Sequence, residues 1–217
     1  MTQIDYTPKS WSYSAIHSYE ECPLNYVLDK LATGPRETNW ALENGLRIHS
    51  LMEQYLLGNI DGVPKDLECF SAELRNLKAK GATAEGAIVL DKNWQPLKVK
   101  DPWKSKKAWI RAKLDAQLGD LIIDLKTGNV YDHYTQQGDL YATMTLQVEP
   151  ELDKIDVEFW YSKSGEITSD VYYRKDQEER LEKWNKKATR MMNEKNWFPK
   201  QNFACRWCNH QDKCELF

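Results

Sequence analysis

The sequence lacks any hydrophobic run that approaches the roughly 20 residues needed to cross a bilayer. Its first ten residues lack the basic and apolar segments of a signal peptide. Cysteine is scarce, with five residues, and an odd number argues against a closed disulfide framework. Internal repeats and long low-complexity linkers are also missing. These absences predict a soluble protein of the cytoplasm, which is a reducing compartment.

The chain also lacks the strongly positive charge of a dedicated nucleic-acid coat protein, since its formal net charge is −3. The charge is unevenly distributed, however. The segment from Lys92 to Lys113 contains eight basic residues and only one acid, Asp101, with Asp91 just before it. This segment is either a solvated loop or a local patch for an anionic partner.

The spacing of apolar residues changes twice along the chain, from a helical period to a period of two and back. It predicts helices over 12–19, 23–30, 39–57, 67–79, 132–146 and 176–196, and strands over 85–90, 109–118, 121–127, 154–161 and 168–174. Segment 33–38 is predicted to be a loop, and 94–107 to be strand only in part. The face of helix 39–57 is predicted to carry Leu42, Leu46, His49, Glu53 and Leu56. This order predicts an α/β (α+β) fold.

One domain is expected over residues 1–217, because no linker divides the chain. It would consist of a helical N-terminal part (1–80), a sheet core that carries the chemistry (81–175), and a C-terminal helix with a cysteine-rich tail (176–217).

A predicted hairpin lies at the centre of the sheet core. Its turn is the dipeptide Gly119–Asp120, and glycine at the first central position suits a two-residue turn. Strand pairing on either side of this turn places Asp115 opposite Asp124, and Lys113 opposite Lys126. One face of the first strand is expected to be apolar throughout, with Ile110, Ala112, Leu114, Ala116 and Leu118.

Like charges directly opposite each other destabilise a sheet, so two such pairs indicate a divalent cation between the two carboxylates. Mg²⁺ and Mn²⁺ prefer hard oxygen ligands. A lysine next to a metal-bound carboxylate can stabilise the charge that grows on a phosphate during attack by water. The alternatives are a solvated polar face on which neighbours offset the charges, and a strand register shifted by one residue.

Three of the five cysteines lie close together near the end of the sequence. Cys205, Cys208 and Cys214 have the spacing C-x2-C-x5-C, which can hold zinc or an iron–sulfur cluster. Three thiolates are too few for a closed four-ligand site, and Cys22 is the candidate for the fourth. Such a site would join the two ends of the chain. Cys69 lies in a predicted helix and is interpreted as a structural thiol.

Several of these motifs together resemble a known family. Asp115, followed by Ile-Asp-Leu-Lys-Thr-Gly from Ile123 to Gly128, resembles the D…(D/E)-x-K signature of the PD-(D/E)XK nuclease superfamily. The Lys-Thr-Gly ending is similar to its RecB-like branch, which includes CRISPR-associated exonucleases and phage relatives. The sequence departs from many relatives at Ala112, where they have glycine.

Four further segments resemble the same branch, in the same order. They are the G-x-x-x-H motif from Gly45 to His49 in a predicted helix, the acid Glu85 at the start of the sheet, the Q-x-x-x-Y motif of Gln137 and Tyr141, and the segment from Ser12 to Tyr26, which is similar to iron–sulfur members. The resemblance spans nearly the whole chain. It implies a central mixed sheet of the restriction-endonuclease-like type, flanked by helices.

The resemblance also implies roles for individual residues. Metal ligands would be the side chains of His49, Asp115 and Asp124 and the backbone carbonyl of Leu125, with Glu85 as a further candidate. The catalytic set would be Lys126 with Asp115, Asp124, Gln137 and Tyr141. A 4Fe–4S cluster would be held by Cys22, Cys205, Cys208 and Cys214. Zinc, the alternative metal, would use the same four thiolates.

DNA contacts are expected from basic and aromatic residues. The candidates for phosphate contacts are Lys106, Lys107, Arg111 and Lys113. Tryptophan is abundant, with nine residues. Six of them lie outside or at the edges of the predicted helices: Trp11, Trp40, Trp94, Trp103, Trp109 and Trp207. These side chains either stack on the bases of a single strand or pack in the core.

Together these features predict a DNA nuclease that depends on Mg²⁺ or Mn²⁺. The family analogy favours an exonuclease that acts on single-stranded ends with 5′→3′ polarity, in recombination, repair or spacer acquisition in a prokaryotic or phage-infected cell. Two alternatives stay open: a DNA-binding module without activity, and a structural protein stapled by zinc. The intact set of two acids and a lysine favours the enzyme.

Overall fold

The structure, a computed structural model, describes residues 4–33, 40–130 and 134–217. Its α-helices are α1 (Tyr13–Glu21), α2 (Pro23–Leu31), α3 (Trp40–Leu56), α4 (Ser71–Ala79), α5 (Tyr134–Val148) and α6 (Gln177–Met192). Its strands are β1 (Thr83–Leu90), β2 (Ile110–Leu118), β3 (Leu121–Lys126), β4 (Lys154–Tyr161) and β5 (Glu166–Tyr173). Short 3-10 helices span Lys65–Phe70, Arg174–Asp176, Phe203–Trp207 and Gln211–Lys213. Most of the predicted loop 33–38, and the predicted first residues of two helices (39 and 132–133), lie outside the described residues.

Two caps in close succession fix the starts of α1 and α2. The hydroxyl of Ser12 accepts a hydrogen bond from the backbone N–H of Ala15 at 3.3 Å, which satisfies one free donor of the first helical turn. Cys22 caps α2 through its sulfur atom, and Pro23 occupies the first helical position, where the missing N–H has no cost. Both helices therefore begin where the sequence predicts them.

The five strands form one mixed sheet in the order β1-β2-β3-β4-β5. Strands β3 and β4 pair in parallel, and the other neighbours are antiparallel. A parallel pair needs a crossover connection, which α5 supplies. The predicted α+β class with a mixed sheet flanked by helices is confirmed, and the arrangement is consistent with the restriction-endonuclease-like type. No helix within the described ranges is long and apolar enough to cross a membrane.

Helices cover both faces of this sheet. Strand β4 alternates between two hydrophobic clusters, because Phe159 and Tyr161 pack in one cluster while Trp160 packs in the other. The first cluster contains residues of α1, α2, α5 and α6. The second contains residues of α3 and α4. Helices α3 and α5 therefore approach the sheet from opposite sides.

The buried side of α3 differs from the predicted one. Leu42 and Leu46 are 46% and 63% exposed, whereas Ile48, Met52 and Tyr55 are buried. The apolar residues of this helix form more than one stripe at helical spacing, and the contact with the sheet selects among them. The helix predicted over 67–79 is also shorter, because a 3-10 helix precedes Ser71. Within segment 94–107, strand structure is limited to one isolated bridge at residue 96.

An irregularity interrupts the pairing of the edge strand β1 with β2. The ladder skips one pair, that of Glu85 and Asp115, and Glu85 has a φ of +53°. Residues two apart in a strand normally face the same side of the sheet. Here, however, Leu114 packs in the first cluster and Ala116 in the second, so the side chains of the strand change faces between them. The single apolar face predicted for β2 is therefore wrong. Asp115 lies at the point where β2 changes sides.

Candidate active site

The hairpin forms as predicted but opens earlier than expected. Gly119 has a φ of +58°, which a glycine adopts without strain, and pairing runs from the turn to the step between Ala116 and Ile123. Beyond that step the strands diverge. The Oδ2 atom of Asp115 takes the place of a strand partner and accepts a hydrogen bond from the backbone N–H of Leu125 at 2.7 Å. The predicted cross-strand pairing of Asp115 with Asp124 is therefore wrong, although both carboxylates flank the same opening.

The predicted opposition of Lys113 and Lys126 is also wrong. Lys113 pairs with Ala87 of β1, and its ammonium group forms an ion pair with Glu85. Lys126 forms an ion pair with Asp124 at 2.5 Å. Each lysine therefore has its own carboxylate, and the destabilising contact that the simple register predicts is absent from these described strands.

One amide side chain links three of the predicted site residues. Gln137 accepts a hydrogen bond from Lys126 Nζ at 2.8 Å. The amide nitrogen of Gln137 donates to Asp124 Oδ1 at 3.1 Å and to Tyr141 Oη at 2.6 Å. Because a lysine can only donate, its contact fixes the orientation of the amide. Gln137 of α5 thus contacts both Asp124 and Lys126 of β3, and Tyr141, one helical turn further along α5, contacts Gln137.

The opposite side of the site is formed by α3. His49 Nδ1 lies 2.9 Å from Asp115 Oδ1, and the two side chains are 32% and 18% exposed. Burial opposes protonation of His49, but the hydrogen bond and negative charge of Asp115 outweigh it and raise the pKa of the imidazole. The structure thus brings His49 next to Asp115, which is the neighbourhood that a shared metal ligand would need.

The electrostatics of the site favour an added positive charge. The side chain of Asp124 is 6% exposed. Burial raises its pKa, and the nearby charge of Asp115 acts in the same direction against the effect of Lys126. The Oδ2 atom of Asp124 is buried without a hydrogen bond of acceptable geometry, although Lys126 Nζ is close to it. A divalent cation would relieve both conditions, so the donor set fits such an ion.

The described side chains are not arranged as a complete cation site. In the part of the chain that the structure describes, no three side chains of His, Cys, Asp or Glu come together as a group that could hold a metal ion. His49 is engaged with Asp115, and Asp115 also contacts the backbone of Leu125. Glu85 is engaged in an ion pair with Lys113.

Two aromatic rings that the sequence interpretation missed surround the lysine. Lys126 Nζ lies 4.3 Å from the ring centroid of Tyr134 and 5.4 Å from that of Phe159. The rings of Tyr134 and Phe159 are stacked, with centroids 5.8 Å apart. Tyr134 precedes Gln137 by three residues, so helical spacing could have placed it on the same face.

A cavity of about 550 Å³ adjoins the network and includes Gln137 and Tyr141 in its lining. Two of the predicted DNA-contact residues, Arg111 and Lys113, also line it. The other two, Lys106 and Lys107, line a separate cleft of about 270 Å³. The structure therefore separates the four basic candidates into two groups, of which one lies beside the acids and the lysine.

The tryptophans separate in a similar way. Trp11 and Trp94 are buried at 2% and 4% exposure, so they pack in the core. Trp40, Trp103 and Trp207 are exposed. Trp103 lines the cavity next to the site.

The four cysteines proposed as ligands line one cavity of about 440 Å³. All five cysteines in the described residues are free thiols. The sulfur of Cys22 accepts from the backbone N–H of Lys200 at 3.4 Å, and that of Cys205 from Asn202 at 3.4 Å. Hydrogen bonds to cysteine sulfurs also occur at iron–sulfur sites, where they influence the reduction potential. Thiols are the donors that such a cluster needs, but among the described residues no three of these cysteines come together as a group that could hold a metal.

Comparison with known proteins gives one family. The model of the PD-(D/E)XK nuclease superfamily matches the chain over residues 10–121 and 114–215. No curated protein matches significantly. Among solved structures, the "Crystal structure of SSO0001" is similar at 13% identity with a TM-score of 0.47, and covers 99% of this chain and 89% of that one. The family match includes the hairpin with both acids, the lysine, α5 and the cysteine tail.

Proposed function

The chain belongs to the PD-(D/E)XK nuclease superfamily, and from this premise we propose that it is a Mg²⁺- or Mn²⁺-dependent deoxyribonuclease that degrades single-stranded DNA from its ends. Membership implies phosphodiester hydrolysis. The observation that carries the proposal is the linked set of Asp124, Lys126 and Gln137 beside the carboxylate of Asp115. The lysine of this set is suited to stabilise negative charge on a phosphate, and the two acids are suited to hold a divalent cation that would do the same.

Each side chain of the set has a defined task in this proposal. Asp115 and Asp124, together with His49 and the backbone carbonyl of Leu125, would hold the divalent cation. A bound cation supplies an activated water and stabilises the charge that develops on the phosphate. Lys126 orients the attack and interacts with the phosphate, and Gln137 keeps its ammonium group in place. The hydroxyl of Tyr141 accepts a hydrogen bond from the amide nitrogen of Gln137 and so helps to keep that amide in place.

The single-stranded substrate is supported by the surface beside the site. Arg111 and Lys113 line the adjoining cavity together with exposed Trp103. Basic side chains next to an exposed aromatic ring suit an unpaired strand, whose bases are free to stack. Lys106 and Lys107 would extend the contact. The 5′→3′ polarity follows the family analogy, as does a role in recombination, repair or spacer acquisition in the cytoplasm of a prokaryotic or phage-infected cell.

We further propose that the chain forms a single nuclease domain and is one of the iron–sulfur members of the RecB-like branch. Cys22, Cys205, Cys208 and Cys214 would hold a 4Fe–4S cluster between the two ends of the chain. Their common cavity supports this, as do the N–H groups directed at two of the sulfurs. We assign the cluster a structural role, as a clip that keeps the ends together.

The test is degradation of linear and circular single-stranded DNA of the same sequence, with Mg²⁺, Mn²⁺ or EDTA. We expect the linear strand to shorten with either cation, the circle to stay intact, and EDTA to stop the reaction. A 5′ label should be released first as short products. Cleavage of the circle, which has no ends, would show that the protein is an endonuclease and not an exonuclease. Binding of both strands without cleavage under any metal would favour an inactive binding module.

A further inference from the structure

The lining of the cavity beside Gln137 and Tyr141 is suited to bind one particular group of the DNA strand. We propose that it is a phosphate subsite, centred on Arg111, that holds a phosphate of the substrate strand next to the bond being cut. This inference rests on the proposed nuclease function. Its position supports it, because Gln137 and Tyr141 belong both to the lining of the cavity and to the network around Asp124.

The charge of the cavity is one-sided. Lys30, Arg111 and Lys113 are part of its lining, and none of the described residues that line it is acidic. Lys113 has a carboxylate partner in Glu85. The charge of Arg111 has none within the described part of the chain, since its recorded partners are the carbonyls of Trp103 and Ser105 and a serine hydroxyl. An anion would complete the site.

The guanidinium group of Arg111 is fixed before any ligand binds. Its Nε donates to the carbonyl of Trp103 at 2.8 Å, and another nitrogen donates to the hydroxyl of Ser10. Ser10 reaches this position because the chain ahead of α1 runs beside β2, where Trp11 and Ile110 form a parallel bridge. A guanidinium held in this way loses little conformational entropy when it binds a phosphate.

The remaining lining matches a nucleotide. The hydroxyl groups of Ser12 and Ser14 lie 3.0 Å apart, so one donates to the other and the second is left to donate to a phosphate oxygen. The rings of Tyr13 and Trp103 form apolar walls. A volume of about 550 Å³ lies in the range of sites for small molecules of this size. The contact between Arg111 and Trp103 couples the phosphate position to the stacking surface.

The experiment measures binding of a fluorescent single-stranded oligonucleotide in EDTA, over a range of salt concentrations, for the wild type, Arg111→Gln and Arg174→Gln. Arg174 is a matched control, because its guanidinium also donates to backbone carbonyls, those of Leu146, Glu149 and Leu152, but does not line the cavity. Thermal unfolding of each variant reports the structural effect separately from binding.

We expect Arg111→Gln to weaken binding by about tenfold or more, as for the loss of a charge-assisted hydrogen bond. Its plot of log affinity against log salt should become shallower by about 0.7, the value for one single-strand phosphate. Arg174→Gln should keep the wild-type slope. Equal slopes for Arg111→Gln and the wild type would overturn the inference. If Arg111→Gln does not fold, the same salt dependence is measured for Lys30→Gln, since Lys30 is exposed and also lines the cavity. A shallower slope for Lys30→Gln would support the subsite, and the wild-type slope would overturn it.

The phosphate can be internal or terminal, and strands with a 5′-phosphate, a 5′-hydroxyl or no end distinguish these sources. An Arg111 effect confined to the 5′-phosphorylated strand identifies a terminal phosphate, and an equal effect on all three identifies an internal one. Inorganic phosphate is a second probe, and should raise the melting temperature of the wild type but not of Arg111→Gln at matched ionic strength. Absence of any such difference in both assays would refute the subsite.

Failure of the proposed function has a different signature. A wild type that binds the strand but does not cut it with Mn²⁺ would remove the nuclease assignment. The slope difference between the wild type and Arg111→Gln would then still report a phosphate subsite. Cleavage by the wild type with identical salt slopes would leave the nuclease assignment in place and remove the subsite.

Discussion

The ammonium group of Lys126 is held from three directions. Asp124 and Gln137 contact it through polar atoms at 2.5 and 2.8 Å, and the ring of Tyr134 lies 4.3 Å away. A lysine confined in this way loses little freedom when it meets a phosphate, which is the basis of preorganised catalysis. The sequence indicated Asp124 and Lys126 through the pattern of the hairpin, and Gln137 through the family resemblance. It did not indicate Tyr134, because an aromatic residue near the start of a helix has no distinctive pattern.

We expect Tyr134→Leu to lower kcat for single-stranded DNA by about 3- to 30-fold, which corresponds to the loss of a cation–π contact of ~0.5–2 kcal/mol. Tyr134→Phe keeps the ring and should stay within about threefold of the wild type. Steady-state kinetics of both variants check this. If the Leu variant changed KM alone, or if both variants lost kcat equally, the ring would not be the group that positions Lys126.

Helix α5 is the element that sets the geometry around Lys126. Gly138 allows α5 to approach the sheet, because a Cβ atom there would lie 3.0 Å from the hydroxyl of Tyr172 and 3.3 Å from the ring of Phe159. Tyr172 also donates to the carbonyl of Thr135 at 2.8 Å. The position of Gln137 over β3 therefore depends on a glycine in the middle of a helix.

Gly138→Ala should lower the free energy of unfolding by about 1–2 kcal/mol and reduce cleavage, because overpacking outweighs the gain in helix propensity. Gly45→Ala in α3 is the matched control. Its Cβ would lie 3.2 Å from a single hydroxyl, that of Thr127, which can rotate. That variant should be neutral or up to about 1 kcal/mol more stable. Denaturant unfolding of both proteins decides, and the same sign of effect at both sites would contradict the packing argument.

The hairpin illustrates what sequence patterns predict at the level of elements. The Gly119–Asp120 turn fixed the register of the first pairs, which the structure reproduces. Divergence of the strands beyond Ala116 was not predictable, because it depends on Glu85 in another strand and on His49 in a helix. A local pattern predicts pairing of neighbours, whereas the end of a ladder is decided by distant contacts. The buried side of α3 is a second example, since the sheet selects it.

At the level of the whole molecule, the first two helices and the last twenty residues are packed together. Leu24 donates its backbone N–H to Phe198 at 3.3 Å, and His210 lies 2.8 Å from Asp29. The cysteines at both ends were predicted to meet on the basis of count and resemblance, and the structure places them around one cavity. A sequence pattern does not distinguish the two metals proposed for these cysteines, because zinc and iron–sulfur clusters share thiolate ligands.

Anaerobically purified protein should be brown and contain four iron atoms per chain, as for a 4Fe–4S cluster. Cys22→Ala should lower the iron content and the melting temperature, because the link between the chain ends is lost. Cys69→Ala is the matched control, since its exposed thiol lies outside the cavity. Metal analysis and thermal unfolding measure both effects. A colourless protein with one zinc per chain would contradict the cluster assignment.

The most direct test of the central claim compares two pairs of lysine and aspartate. Lys126 and Asp124 in β3, and Lys154 and Asp156 in β4, are both two residues apart with a 2.5 Å contact, but only the first pair is buried. The measurement is degradation of end-labelled linear single-stranded DNA with Mn²⁺ by Asp124→Asn, Lys126→Gln and Lys154→Gln, each verified as folded. We expect the first two to lose at least about 100-fold in rate and Lys154→Gln to retain wild-type activity. Wild-type rates in Asp124→Asn and Lys126→Gln would contradict the account.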